Sequence, residues 1–413
     1  MSGGKLLMLG GADIQVTAIR KAKELGYEVI TCDYLPGNPG HAFSDAYHNV
    51  STTDKEAVLA LAQREGIQGI SAYASDPAAV TAAYVAEQLG LPGNPYEATC
   101  LIQDKVTFRA TQQRLGIPCP EACEATDAAQ VEALVRGWAH GGVIKPVDTS
   151  GSKGIHYLRP DMPSAAIAAL YQDALSFSRA KKVVIEEYLQ RKGRQMTGDA
   201  LIVDGRVVFW CFGDVHFNDA VNGLVPRGVT LPGSMPEAQV REAMNGVQQV
   251  IDDLGLRMGV FNIDIFEDHK GRPIVVDIGA RNGGNMLNTL YHLRTGVDLM
   301  EASLRQCMGE AVSLPALSAP SRYVGHIVVH ARESGILRSL RLSDELDRHV
   351  IYRSFNVKPG DRVGRFVNSG HRLGLLLVEF PDLGSMLWVY DHIYDHMYLE
   401  VDVLPRLGYC PLD

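Results

Sequence analysis

Val260-Phe-Asn-Ile-Asp264-Ile-Phe266 and Pro273-Ile-Val-Val-Asp277-Ile-Gly-Ala-Arg281-Asn-Gly-Gly-Asn285 hold the pattern from which the rest of the chain is read. Both runs begin as apolar, strand-like segments, and Glu267-Asp-His-Lys-Gly271 between them reads as a hairpin turn. One aspartate interrupts each strand. On paired antiparallel strands the two carboxylates can face the same side, where they would repel and hold protons unless a cation sat between them. Hard oxygen ligands of this kind suit Mg²⁺ or Mn²⁺ with bound phosphates. The plainer reading makes one of the two a surface residue. Beyond Asp277, Arg281 offers a two-pronged grip on a phosphoryl or carboxylate oxygen. Gly283 and Gly284, with Asn285 next to them, let a ligand approach the backbone.

Upstream, Lys145 stands in the apolar run Gly142-Val-Ile-Lys-Pro146, where a lysine is costly to desolvate without an anion to meet it. It leads into Thr149-Ser150-Gly151-Ser152-Lys153-Gly154, whose glycines, hydroxyls and lysine suit a phosphate. This is not a Walker loop, and a solvated hairpin turn remains the alternative. Ile185-Glu186-Glu187-Tyr188-Leu189 ends a strand; it reads as a nucleotide-binding edge or simply a charged strand end. Residues 213–233 are long and glycine-rich for a connection, so His216 and Arg227 within them are expected to touch substrate, with surface charge as the bland alternative. His392 and His396 lie one helical turn apart, a spacing that can chelate a metal but more often marks a polar face.

Working outward, residues 1–100 alternate strand and helix, which implies a doubly wound parallel sheet. Gly10-Gly11 with Asp33 comes near dinucleotide-binding spacing but lacks the third glycine. Single helices are expected over 101–115 and 287–308, and the Pro/Ser-rich 313–321 reads as a boundary. The 413 residues require several lobes. Their 46% hydrophobic and 21% charged content is that of an ordinary globular protein. A net charge of −9 argues against nucleic-acid or anionic-membrane partners, and no apolar run is long enough to span a bilayer. Seven scattered cysteines point to a reducing, cytoplasmic setting.

In this order the elements resemble the ATP-grasp superfamily of carboxylate–amine ligases over nearly the whole chain. The resemblance implies an α/β architecture in three parts. These are a Rossmann-like domain over 1–100, an ATP-grasp α+β domain over 101–312 with its lid about 118–189, and a C-terminal α+β domain over 313–413. It implies ATP and Mg²⁺ as cofactors, with Lys105, Lys145, Ser150 to Gly154, Glu186, Glu187, Leu189 and Gln195 on the nucleotide. Asp264 and Asp277 would hold metal, and Arg281 and Lys145 would be catalytic. Arg281, Gly283, Asn285, His216 and Arg227 would face substrate. Two departures stand out: the family's Glu-x-Asn-x-Arg reads Asp277-Ile-Gly279-Ala-Arg281, and Gln195 replaces a common ribose-binding glutamate. The implied reaction forms an acyl phosphate from a small carboxylate and joins it to an amine. Bicarbonate-dependent carboxylation or carbamoyl formation, a nucleotide sensor and a nicotinamide oxidoreductase are the competing readings. A homodimer is the default assembly.

Overall fold

The computed structural model describes residues 3–149, 152–218, 220–315 and 322–403. The chain opens with four parallel strands, β1 (Gly3–Leu9), β2 (Tyr27–Cys32), β3 (Ala46–His48) and β4 (Gly69–Ser71), in the order β3-β2-β1-β4. The central strands are apolar on both faces because both are covered. Leu7, Leu9 and Ile30 meet α2 (Lys55–Glu65) and α3 (Asp76–Leu89), while Leu6, Met8 and Val29 meet α1 (Val16–Glu24) and two residues from much later in the chain, Met300 and Leu304. This is the expected doubly wound sheet.

Residues 101–115 do not form one helix. Asp104 leaves the helical conformation and accepts from the Val106 and Thr107 amides, so α4 (Tyr96–Gln103) stops and α5 (Lys105–Arg114) starts there. Lys105 thereby opens α5. A small antiparallel sheet follows: β5 (Ala122–Ala125), β6 (Gly142–Pro146), β7 (His156–Leu158) and β8 (Val183–Glu187), in the order β5-β8-β6-β7. α6 (Ala128–Gly137) and α7 (Ser164–Phe177) pack on it through Val131, Val135 and Ile167 against Ile144 and Ile185.

The largest sheet has eight strands. It takes in β9 (Arg191–Val203), β10 (Arg206–Asn218), β11 (Asn222–Leu231), β12 (Gly259–Asp268) and β13 (Pro273–Gly279). Residues 213–233, expected as a loop, are largely the paired strands β10 and β11. α8 (Glu237–Leu254) covers one face; the sequence reading passed over it, although Val240, Ala243, Met244, Val247, Val250 and Ile251 recur at helical spacing. On the other face the expected helix 287–308 is two. α9 (Leu287–Thr295) ends at Gly296, whose φ is +77°, and Asp298 caps α10 (Leu299–Cys307). Three later strands, β14 (Tyr323–Val329), β16 (Val350–Phe355) and β18 (Gly374–Phe380), complete the sheet in the order β13-β12-β9-β10-β11-β14-β18-β16. The last hundred residues therefore extend the main sheet. They add a three-stranded one from β15 (Gly335–Leu342), β17 (Arg362–Val363) and β19 (Met397–Val403), with α11 (Asp344–Asp347) and α12 (Leu383–Asp391). Among the described residues no helix is long and apolar enough to cross a membrane.

Candidate active site

A cleft runs between the small sheet and the eight-stranded one. Lys105, Lys145, Ser152, the Glu186–Leu189 strand end, Gln195, Asp264 and Asp277 all line it. Its deepest feature is the hairpin β12–β13, whose register sets Asp264 directly opposite Asp277. Burial, and then the charge of Asp277, push the Asp264 carboxyl up to about 6. Asp277 is buried too, yet Lys105 and Lys145 hold its carboxyl below the usual range. One paired site thus carries a carboxylate and a reluctant neighbour, the state a divalent cation would relieve. Among the described residues no third acid, histidine or cysteine joins them. Two carboxylates suit Mg²⁺, which keeps waters and phosphate oxygens in its remaining positions.

Above the pair sits a buried ion cluster. Lys145 Nζ is 2.5 Å from Glu186 Oε2, and Arg109 Nε is 3.0 Å from Glu186 Oε1, a charge contact whose angle is too poor for a hydrogen bond. Burial alone would raise the Glu186 carboxyl, but Arg109 and Lys145 outweigh it and hold it below the usual range. Burial is also the main reason Lys145 lies below the usual lysine range. Arg109 further donates to the Val276 carbonyl, and Gln112 donates to that of Val275 (3.0 Å), so α5 is tied to β13. Glu186 therefore holds Lys145 and Arg109 in place beside its expected role at the nucleotide. The Glu187 and Tyr188 amides are taken by the Glu121 and Gly141 carbonyls (2.8 and 2.9 Å), and neither is free for an adenine edge. Lys105 Nζ reaches the Thr149 carbonyl at 3.3 Å.

The remaining expected residues divide. Ser152, at φ +57°, donates to the Leu224 carbonyl (3.1 Å) and so bridges the glycine-rich turn to the β10–β11 hairpin. Lys153 is exposed, Gly154 is buried, and Ser150 and Gly151 lie outside the described residues. Gln195 lines the cleft and meets Arg191 at 3.4 Å. Arg281 is a fork, as expected, but here it grips Asp76 of α3 (2.8 and 3.0 Å) and also Asn262 (2.6 Å). The Gly283 amide is spent on Asp199 (2.8 Å), and Asn285 accepts from Arg372 (2.7 Å).

His216 and Arg227, expected to touch substrate, do not line the cleft. His216 is buried against Tyr390, bonded to Arg194 and Thr230 (both 3.0 Å). Arg227 donates to the Phe217 and Tyr390 carbonyls (2.8 and 2.6 Å). Strand alternation explains this: Phe217, Leu224 and Pro226 turn toward the cleft, and these two turn away. His392 Nδ1 bonds the Trp388 carbonyl and His396 Nδ1 the Ser343 hydroxyl (both 2.8 Å), and among the described residues they belong to no group of three or more metal-ligating side chains.

Sequence reasoning missed Arg109 and Asp199. Asp199 is fully buried and accepts from Gly283, Asn262 and Asn288, which fixes the glycine loop. Its signal was legible: one aspartate in the apolar run Met196–Ile202, the same pattern as Asp264 and Asp277.

No family model matches the chain. Among curated proteins it is similar to uncharacterized protein y4rH of Sinorhizobium fredii, 26% identical over 352 residues, covering 81% of this chain and 70% of that one. It is also similar to the formate-dependent phosphoribosylglycinamide formyltransferase of Rhodococcus jostii, 25% identical over 295 residues. That match spans 63% of this chain and 65% of the formyltransferase, less than two thirds of its length. Among solved structures, an L-amino acid ligase from Bacillus licheniformis superposes with a TM-score of 0.80 at 18% identity, covering 97% of this chain and 100% of the ligase. The biotin carboxylase domain of Hydrogenobacter thermophilus 2-oxoglutarate carboxylase, in complex with MgADP and bicarbonate, superposes at 0.73 and 15% identity, covering 97% and 91%. The chain has the ATP-grasp fold. The expected fold and the resemblance to this superfamily are borne out.

Proposed function

We propose that this ATP-grasp protein is an ADP-forming ligase that activates a small carboxylate as an acyl phosphate and passes the acyl group to an amine. One observation carries the reading. Two opposed, buried aspartates, one with its carboxyl pushed up to about 6, share a cleft with two buried lysines, of which Lys145 pairs with Glu186 and Lys105 reaches the Thr149 carbonyl. Such a site is incomplete until it receives a polyanion and its metal. Asp264 and Asp277 would hold Mg²⁺, which, when bound, neutralises charge on the phosphoryl oxygens. Lys145 and Lys105 add fixed positive charge to the triphosphate, where they cost no reorganisation during transfer. Val143, Ile155, Leu189 and Phe266 give the apolar walls a flat base requires. The small sheet covers the cleft and keeps water from an acyl phosphate. Arg281, held by Asp76 and Asn262, would orient the acceptor.

The names of the similar proteins include formyl transfer from formate, amino-acid ligation and carboxylation with bicarbonate. All three are consistent with a carboxylate-type oxygen attacking ATP. The test is ADP release from Mg-ATP with pooled carboxylates, with hydroxylamine present to trap acyl phosphates. Hydroxamate from one pool supports the reading; release with bicarbonate alone moves the protein to the carboxylation branch. A chain that binds no ATP would sink it.

A further inference from the structure

A second pocket of about 440 Å³ opens between α2, α3 and α4 and the turn at 147–149. It shares Lys105 and Asp277 with the nucleotide cleft, so the two cavities meet at the phosphate end. Its volume is within the range of small-molecule sites. Apart from Asp277, its acids are already answered. Both Asp76 oxygens accept from Arg281, Asp104 caps α5, and Asp148 accepts from the Ser178 hydroxyl and the Ala180 amide. Its donors are not. Gln103 Nε2 is buried with no hydrogen-bond partner. Lys55 Nζ lies over the Tyr84 and Tyr96 rings at 4.4 and 4.9 Å and donates to the Tyr96 hydroxyl at 3.2 Å. The carboxylate that acts on it is Glu56, which accepts from the Tyr84 hydroxyl (2.8 Å). Aromatic faces hold an ammonium without cancelling its charge, and a buried amide donor with nothing to meet costs stability until a ligand supplies an acceptor.

Resting on the ligase reading, we propose that this pocket receives the carboxylate substrate. Lys55 and Gln103 are its anion-binding groups, and Lys105 and Asp277 mark the end where it meets the triphosphate. The ligand class is a small organic acid, held on the side of Asp277 away from the adenine walls.

The test uses the full chain and ligand-observed NMR with five acids: acetate, glycine, L-aspartate, succinate and 2-oxoglutarate. Each is titrated with Mg²⁺ and a non-hydrolysable ATP analogue, then again without nucleotide. At least one acid is expected to bind, with affinity reduced tenfold or more in Lys55→Met and in Gln103→Leu and largely restored in Lys55→Arg. Analogue affinity should be unchanged in all three variants. An acid that binds wild type and both variants equally overturns the proposal, and so does a wild-type protein that binds the analogue but none of the acids. Failure to bind the analogue would count against the ligase reading alone, because the titrations without nucleotide still decide whether Lys55 and Gln103 hold an anion.

Discussion

The cleft and the histidine cluster beneath α12 both bury polar side chains, and they solve the problem in opposite ways. In the cleft the groups remain charged: Arg109, Glu186 and Lys145 neutralise one another in part, and the excess positive charge faces Asp277. Under α12 the histidines are neutral. His216, His326 and His330 all lie below the ordinary histidine range, chiefly through burial and then, for His216 and His326, through neighbouring arginines. Because Arg194 can only donate, His216 Nδ1 is the acceptor and its Nε2 carries the proton toward Thr230. His330 reaches the Val328 carbonyl (2.7 Å) and the Tyr394 hydroxyl (3.0 Å). His326 Nδ1 is buried with no hydrogen-bond partner, yet a neutral ring with one unmet atom costs little beside an unmet charge, and the cluster serves the fold. A buried cluster with leftover charge awaits a partner, and that contrast separates site from scaffold here.

The largest effect should come from cutting the charged cluster. Arg109→Met leaves Glu186 with Lys145 alone and removes the tie to β13, so urea unfolding should show a loss of about 3–5 kcal/mol, the usual cost of orphaning a buried charge. A loss below about 1 kcal/mol would mean that water reaches Glu186 and that the two interiors are less different than drawn. Next, Lys145→Met should lower ADP release with an active carboxylate by about 10²–10³-fold, the range for removing one fixed electrostatic stabiliser. Glu186 retains Arg109 and the tie to β13 stays in place, so the melting temperature should move less than in the Arg109 variant. Equal losses of stability in both would make Lys145 a structural lysine.

The neutral cluster should respond to acid. The folded-state values of His326 and His330 are pushed down to about 3 and about 4, below the ordinary 6.5. The unfolded chain therefore takes up the protons, and stability present above 6.5 drains away as pH falls toward those values. At pH 5 each ring costs about 2 kcal/mol. Thermal melts at pH 7 and pH 5 should differ accordingly, and His326→Leu should shrink the difference. An unchanged pH slope would show that the ring is already charged or exposed.

How much of this was legible beforehand follows from which forces act locally. The hairpin 260–279 and its two aspartates could be read because alternation and a turn fix the register within twenty residues. The helix breaks at Asp104 and Gly296 were also local; they were overlooked because apolar spacing runs on across each. Arg109 was beyond reach: one basic residue on a helix does not reveal that its guanidinium is buried against Glu186, 77 positions on, and under Val276. The same holds for Arg281, whose fork was recognisable but whose partner Asp76 comes from another sheet's helix. Ion pairs across lobes are set by tertiary packing, which one sequence does not contain.

The smallest effect tests which interior Arg227 of the 213–233 segment serves. Arg227 was read from sequence as a substrate group, yet its guanidinium donates to two backbone carbonyls, one on its own hairpin partner and one at Tyr390 of α12. Those bonds pin the helix that shields His216 and His326, so Arg227 belongs to the neutral interior although Pro226 beside it lines the cleft. Arg227→Ala should cost about 1–2 kcal/mol in urea, the value of charge-assisted hydrogen bonds to carbonyls that water can partly replace. Analogue affinity and the KM for carboxylate should stay within about twofold by the insulation expected of sites without shared partners. A tenfold rise in that KM with unchanged stability would return Arg227 to the substrate side and move the border between the two interiors by one residue, onto β11 itself.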